Sequence, residues 1–321
     1  MLQFGIFKSE EYLRARDRRH VLGSRASYEL LNVGDDPTEE QIRVFEDISR
    51  TLQTSNGTYR TTFANRFHDL DDLAMRWMKK LYGTDTEVRV QDRAVSHALT
   101  SLEWAERLFQ AFPLTLFEAS DALFSLIKLS LPGRKTYVFE PNGQPLQYIN
   151  WPFVVSLQRP GSWRYPINRL IAARAKRRFD QLLLPDGWME SKGEAAYQVA
   201  KISCVHPRAL QFSKRNPRFQ LEARSVFECL PDSCDVLRTM NILNMSYFST
   251  DRLIEGINAA FHSLKPGGIW IVGRTLEKDF SNQVTLLRKE HGGWKVLDRL
   301  GGGSEIEELA LRASPVEAPQ A

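Results

Sequence analysis

The sequence is poor in cysteine and in long apolar runs, and these two absences exclude several classes of protein. Its three cysteines, Cys204, Cys229 and Cys234, show neither CxxC spacing nor a nearby histidine of metal-site type, which argues against a structural zinc site and a disulfide framework. No apolar run approaches the length that crosses a bilayer, and charges interrupt the N-terminus where a signal peptide needs an apolar core. We therefore expect a cytoplasmic protein with no membrane partner.

An excess of charge of one sign is also lacking. The formal net charge of +4 is small for 321 residues and gives no general case for nucleic-acid binding. The local exception is the basic run at residues 169–178, whose apolar spacing predicts a helix with a cationic face. That face would contact an anionic substrate, nucleic acid or a lipid headgroup, or it is a solvated surface. Nucleic acid is thus a possible partner but not the favoured one.

The most informative stretch that is present spans residues 234–275. An apolar run at 235–240 stops at Asn241, an amphipathic segment follows at 252–264, and a second apolar run at 269–273 begins after a Lys-Pro-Gly-Gly sequence. This order predicts a strand, a helix, a turn and a strand.

The turn carries a resemblance to a known family. Pro266 ends the helix, and Gly267 and Gly268 can adopt the positive φ that reversal into a buried strand requires. A strand that opens with Asp and ends near Asn, followed by a helix and Leu-Lys-Pro-Gly-Gly, resembles the later half of class I S-adenosylmethionine (SAM)-dependent methyltransferases. The resemblance implies an α/β fold, with a doubly wound Rossmann-like methyltransferase sheet and an antiparallel C-terminal strand.

Two segments are predicted to be additions to that sheet. Residues 1–84 are interpreted as an N-terminal helical extension, with helices at 38–52 and 69–82, which is either a cap over the active site or a packing extension. Asn142-Gly143 lies between two short strand patterns and predicts a type I′ turn, and therefore an inserted β-hairpin within an insert of about residues 133–200.

The methyltransferase-like domain that the resemblance implies spans residues 85–311, and the Pro/Ala-rich residues 312–321 are predicted to be a disordered tail. After the insert, this domain is predicted to resume with strands at 201–205 and 219–223 and to close with an antiparallel pair at 283–289 and 294–300.

The cofactor half of the domain begins with a strand at 87–91 and the loop 92–100, followed by a helix and a second strand at 114–117. This loop resembles an Asp-x-Gly-x-Ser-Asp-Gly-x-Thr form of the SAM loop. Asp92, Ser96 and Thr100 match that form, whereas Ala94 and Ala98 stand where glycines are expected and His97 stands where an acid is expected. The resemblance places the methionine and ribose parts of SAM here.

Further site residues are also implied by the resemblance. Glu118 and Asp121 are the two candidates for the acid that binds the ribose hydroxyls, and the choice between them stays open. Ser225 stands where an acid would accept from the adenine amino group, and Val226 would flank the ring. The cofactor-binding residues implied are therefore Asp92, Ala94, Ser96, Glu118, Asp121, Ser225, Val226 and Asn241.

The end of the fourth strand usually faces the transferred methyl group, which makes Asn241, Asn244 and Tyr247 the candidate catalytic residues. Because methyl transfer from a sulfonium is an in-line displacement, positioning supplies most of the catalysis and a general base is optional. Tyr247 or His206 would orient or deprotonate the acceptor, unless each has only a structural role.

The leading hypothesis is a SAM-dependent methyltransferase that acts on an unidentified methyl acceptor by in-line transfer. The alternative is a methyltransferase-fold protein without SAM chemistry that acts as a binding or scaffolding module. The substitutions at Ala94, His97, Ala98 and Ser225 motivate this alternative.

Overall fold

A computed structural model describes residues 4–16, 25–55, 60, 62–158, 165–182 and 197–313. The helices are α1 Ser9–Arg16, α2 Glu39–Thr51, α3 His68–Tyr82, α4 Leu99–Ala111, α5 Tyr165–Leu182, α6 Pro207–Arg215, α7 Thr250–Ser263 and α8 Glu307–Arg312. The strands are β1 Arg89–Arg93, β2 Leu116–Ser120, β3 Ser125–Leu131, β4 Lys135–Phe139, β5 Pro145–Asn150, β6 Phe153–Ser156, β7 Gln198–Ser203, β8 Phe219–Glu222, β9 Cys234–Met240, β10 Leu264–Thr275, β11 Asn282–Glu290 and β12 Gly293–Leu300.

The chain forms two compact units. The first unit consists of Met1–Thr61 and Leu123–Pro207, and the second consists of Thr62–Ala122 and Arg208–Ala321. Helix α3, which was predicted as part of the N-terminal extension, is in the second unit. The first unit consists of the segment before α3 and of an insert at 123–207, which is longer than the predicted insert at about 133–200. The division into domains that fold independently stays a prediction.

The second unit contains a seven-stranded sheet in the order β12-β11-β10-β9-β1-β2-β8. The pairings from β8 through β10 are parallel, and β11 runs antiparallel to both β10 and β12. Successive residues of β10 from Ile269 to Val272 are all buried, so the sheet is covered on both faces there. The predicted fold class is confirmed.

Strand β1 lies between β2 and β9, so the chain leaves β1 first toward one edge of the sheet and later returns to its other side. This reversal of strand order is a topological switch point. In open α/β sheets, the crevice beyond the carboxyl ends of the strands at such a point is where ligands bind. We call the region beyond the carboxyl ends of β1 and β9 the switch-point crevice.

The Lys-Pro-Gly-Gly turn differs from its prediction in one respect. Gly267 has the expected positive φ of 80°, but Gly268 does not have a positive φ. A Cβ on Gly268 would lie 2.9 Å from the carbonyl oxygens of Asp235 and Lys265. Gly268 is therefore required for space, and the turn is an irregularity in the β9–β10 pairing between Leu264 and Ile269.

The first unit contains a five-stranded antiparallel sheet in the order β6-β5-β4-β3-β7. Strand β7 pairs with β3, so the prediction that this segment returns the chain to the methyltransferase-like sheet is wrong. The predicted hairpin is formed by β4 and β5, but its turn is not type I′, because Gly143 has a positive φ and Asn142 does not. The Glu140 N–H bonds to the Gln144 carbonyl and closes a longer loop.

The predicted helix at 38–52 is α2, which begins with a reciprocal capping box. The Thr38 hydroxyl accepts from the Gln41 N–H at 3.2 Å, and the Gln41 side chain accepts from the Thr38 N–H at 2.8 Å. The buried face of α2 joins the core of the first unit, where Val44, Phe45 and Ile48 lie in one apolar cluster with residues of β3, β4 and β5.

No helix among residues 4–16, 25–55, 62–158, 165–182 and 197–313 combines the length and the apolar character that crossing a membrane needs. The predicted tail is described only at Arg312 and Ala313, so the remainder of that prediction lies outside the described residues.

Candidate functional site

The loop between β1 and α4 follows a path that glycines would normally provide. Ala94, Ser96 and Ala98 have φ values of 60°, 60° and 65°. This left-handed region costs a residue with a Cβ about 1–2 kcal/mol. Two of these positions, Ala94 and Ala98, are those where the resemblance implies glycine. The loop therefore keeps a glycine-type backbone without the glycines.

Asp121 ties this loop to the neighbouring strand. Its Oδ2 accepts from the Ser96 N–H at 2.7 Å, and the Val95 N–H bonds to the Ser120 carbonyl at 3.3 Å. The Asp121 carbonyl in turn accepts from the Arg224 N–H just after β8. Asp121 thus connects the loop after β1 with the carboxyl ends of β2 and β8.

The two candidate ribose acids occupy different places because β2 is Leu116–Ser120 rather than the predicted 114–117. Asp121 directly follows the strand, whereas Glu118 lies in its middle, opposite Gln91 of β1. Burial raises the pKa of Glu118, and the Arg224 guanidinium, 3.4 Å away, opposes that rise. Only Asp121 lies at the switch-point crevice.

Asp92 is engaged in a buried ion pair. It lies opposite Arg238 on the adjacent strand β9, and its carboxylate accepts from Arg238 Nε at 2.9 Å and from Nη2 at 2.5 Å. The Ser101 hydroxyl, in the first turn of α4, donates to the same carboxylate at 2.6 Å. Asp92 therefore connects β1, β9 and α4, and these contacts are internal to the protein.

Arg238 also reaches α3, where its Nη1 donates to Asp71 at 2.7 Å. Burial raises the pKa of Asp71 to about 7, with Arg238 opposing the rise and Asp92 adding to it. Burial acts to lower the pKa of Arg238, but its two carboxylate partners outweigh that effect and raise it. Sequence reasoning missed this cluster, although an arginine within the apolar run 235–240 was an available signal.

The predicted catalytic residues follow β9. The Asn241 N–H bonds to the Gly273 carbonyl at 2.9 Å, and its Oδ1 accepts from the Thr275 N–H at 2.7 Å. The buried Asn244 side chain accepts from the N–H groups of Ser246 and Tyr247, each at 3.1 Å. Asn241 and Asn244 thus order the backbone at the carboxyl ends of β9 and β10, and Tyr247 is 47% exposed.

Of the adenine-side residues, Ser225 is exposed and its hydroxyl accepts from the Phe227 N–H at 3.3 Å. Val226 is buried in an apolar cluster with Leu243, and Ala94 packs against the same cluster. The structure therefore places Ala94 and Val226 at the same apolar cluster. His206 is in the first unit, where its Nε2 lies 3.3 Å from a Glu46 carboxylate oxygen.

No family model matches the chain, and no curated protein matches its sequence. A putative SAM-dependent methyltransferase structure from Methanococcus maripaludis is 10% identical, with a TM-score of 0.31, and the alignment covers 75% of this chain and 67% of that one. An O-methyltransferase family protein from Burkholderia thailandensis is 12% identical, with a TM-score of 0.30 and coverages of 75% and 43%. A putative O-methyltransferase from Nostoc punctiforme is 11% identical, with a TM-score of 0.27 and coverages of 76% and 45%.

The chain thus spans less than half the length of the second and third of these proteins. Because all three likenesses are distant, the fold is assigned from the strand order of the chain itself. The five parallel strands β8, β2, β1, β9 and β10 contain one switch point, at β1, and the antiparallel strand β11 follows β10. In fold, the chain is class I methyltransferase-like. Its activity and its substrates do not follow from that fold.

Proposed function

We propose that the protein binds SAM in the switch-point crevice and transfers its methyl group to an acceptor. The observation that carries this proposal is the backbone of the β1–α4 loop. Alanine and serine would not be held at positive φ in three of five residues unless the path itself were needed. A close approach of backbone to a bound cofactor is one such need.

The residues around the loop fit SAM in their chemistry. Asp121 supplies a carboxylate at the end of β2, which suits a vicinal diol, and Ser225 supplies an exposed hydroxyl near the end of β8. Ala94 and Val226 contribute apolar surface. When bound, SAM would supply an electrophilic methyl group, and the residues after β9, Asn241 and Tyr247, would position the acceptor.

Calorimetric titration with SAM and with S-adenosylhomocysteine tests the proposal, and the two candidate acids provide a matched pair of variants. Asp121→Asn removes the charge at the crevice, and we expect it to weaken SAM binding by about tenfold or more, as the loss of a hydrogen bond to a charged group does. Glu118→Gln makes the same change in mid-strand and should leave the dissociation constant within about twofold of the wild-type value.

The alternative function, a binding or scaffolding module without SAM chemistry, is favoured by one observation. The Asp92 carboxylate, which the resemblance assigns to the cofactor, makes its closest contacts with Arg238 and Ser101. If the wild-type protein binds neither SAM nor S-adenosylhomocysteine while its melting transition is cooperative, the enzyme proposal is refuted and the module becomes the better account. An Asp92 variant would not make this distinction, because it would also break the buried ion pair.

A further inference from the structure

The loop between β10 and β11 holds an aromatic residue in a conformation that favours glycine. Phe280 has a φ of 56°, and its side chain is 62% exposed. A bulky residue at positive φ is a genuine outlier. Such strain persists where the surrounding structure over-determines it, and it is found preferentially at functional sites.

The surrounding loop does over-determine this conformation. The Leu276 N–H bonds to the Ser281 carbonyl at 2.9 Å, and the Phe280 N–H bonds to the Leu276 carbonyl at 3.0 Å. Asp279 Oδ1 accepts from the Ser281 N–H at 3.0 Å and from the Ser281 hydroxyl at 2.7 Å. Since these contacts use the backbone and its neighbours, a glycine at position 280 would satisfy all of them. These hydrogen bonds therefore do not explain why a phenylalanine stands there.

A continuous series of contacts connects the Phe280 ring with the predicted catalytic residue Asn241. The Phe280 ring meets the Phe63 ring edge-on at 5.6 Å, and the Arg66 guanidinium lies 5.4 Å from the centre of the Phe63 ring. Arg66 Nε donates to the Thr275 hydroxyl at 3.1 Å, and the Thr275 N–H donates to Asn241 Oδ1 at 2.7 Å. The exposed Phe280 ring is thus connected to Thr275 at the end of β10, and Thr275 contacts the candidate site residue Asn241 after β9.

Other exposed apolar side chains lie at the same edge of the sheet. Met245 and Tyr247, in the segment after β9, are both largely exposed, although large apolar side chains are usually covered. The edge therefore combines exposed aromatic and apolar side chains with the charge of Arg66, which lies against the Phe63 ring.

We propose that Phe280 and Phe63 form a platform that binds an aromatic methyl acceptor, neutral or anionic. This inference rests on the proposed function, because it assigns the class of acceptor for the same site. An aromatic molecule would stack on or meet the edges of these rings, and the Arg66 charge would favour an anionic substituent and repel a cation.

The test uses 1-anilinonaphthalene-8-sulfonate, an aromatic anion whose fluorescence rises on transfer to an apolar surface, titrated into the 321-residue protein. In Phe280→Gly the ring is removed and the strained backbone is relieved, so we expect an unchanged or higher Tm. Dye binding should weaken by about tenfold, the size of effect that removal of an aromatic anchor produces. SAM binding, measured by calorimetry, should not change.

Trp151→Gly is the matched control, because Trp151 is 57% exposed and has the Arg134 guanidinium 5.2 Å from its ring centre, but it belongs to the first unit. This variant should bind the dye as the wild type does. Equal dye binding by wild type and Phe280→Gly, or equal weakening by both variants, would overturn the platform.

The outcome for the proposed function is separate. If the dye needs Phe280 but SAM does not bind to the wild type, the proposed function fails, and the platform is then a site for an aromatic ligand and not for a methyl acceptor.

Discussion

Replacing Arg238 by methionine would leave two buried carboxylates without the cation that they share. Methionine keeps the length and the apolar part of the side chain, so it can still lie against the Trp104 ring, whose centre is 4.1 Å from the guanidinium carbon. The hydrogen bonds to Asp92 and Asp71 are lost. The substitution therefore tests charge compensation rather than side-chain volume.

The structure sets the size of the expected effect. Removing one partner of a buried ion pair costs about 3–5 kcal/mol, because the remaining charge has neither water nor a counter-ion. Arg107, 3.9 Å from the Asp71 carboxylate, gives limited compensation because it is partly exposed. For a unit of this size, such a loss lowers Tm by about 10 °C. Arg312→Met is the control, because Arg312 is 80% exposed and its ion pair with Glu308 should contribute less than about 1 kcal/mol.

The cost should also depend on pH. Without Arg238 the pKa of Asp71 rises further above its present value of about 7. The stability of the variant therefore continues to fall as the pH rises above about 7, where the stability of the wild type no longer falls. We expect calorimetry to show a larger fall in Tm at about pH 8.5 than at about pH 6. A Tm within about 2 °C of the wild-type value at both pH values, or a larger fall at the lower pH, would refute the buried charge network.

Other substitutions test separate features. The wild-type Tm should fall as the pH rises from 3.8 to about 7 and level off above that, because folded Asp71 keeps a proton that it loses near 3.8 when unfolded; Asp71→Asn should remove this slope in calorimetric scans. Thr38→Ala should cost about 1 kcal/mol in urea denaturation by removing the capping box, and an unchanged midpoint would contradict that role. Gly273→Ala should prevent stable folding, since a Cβ there would lie 2.1 Å from the Gln283 carbonyl oxygen, and a soluble variant with the wild-type Tm would contradict the close packing of β10 and β11. Ala98→Gly should raise stability by about 0.5–1 kcal/mol, because glycine accepts a φ of 65°, and a lower Tm would contradict strain at that residue.

Sequence patterns predicted the elements that depend on local chemistry. The apolar runs at 235–240 and 269–273 are β9 and β10, and the Thr38 signal marks the start of α2. These features are governed by neighbours in the chain: burial of successive residues, a side chain that caps its own helix, and a glycine that reverses the backbone. The loop after β1 was instead predicted to be the site through its resemblance to the SAM loop.

Local patterns did not give the exact strand boundaries or the pairing of the strands, and both decide which side chains lie at the site. The second strand ends three residues later than predicted, at Ser120 instead of Phe117, which places Glu118 in the middle of β2 and Asp121 just after its end. Strand boundaries depend on pairing partners, here β1 and β8, which come from distant parts of the chain. In the same way, β7 has a plausible strand pattern, but only its pairing with β3 decides which sheet it joins.

The sequence by itself indicated the class of fold, because apolar periodicity and turn residues act over short distances, whereas the place of the candidate site came from the resemblance and stays a prediction. Only the tertiary structure decided what the polar residues do. Asp92 and Arg238 are 146 positions apart, yet they are direct neighbours on adjacent strands, and Asp71 reaches the same arginine from a helix. A buried charge needs a partner, and the identity of that partner is set by the register of the sheet and the packing of the helix, which no local pattern encodes.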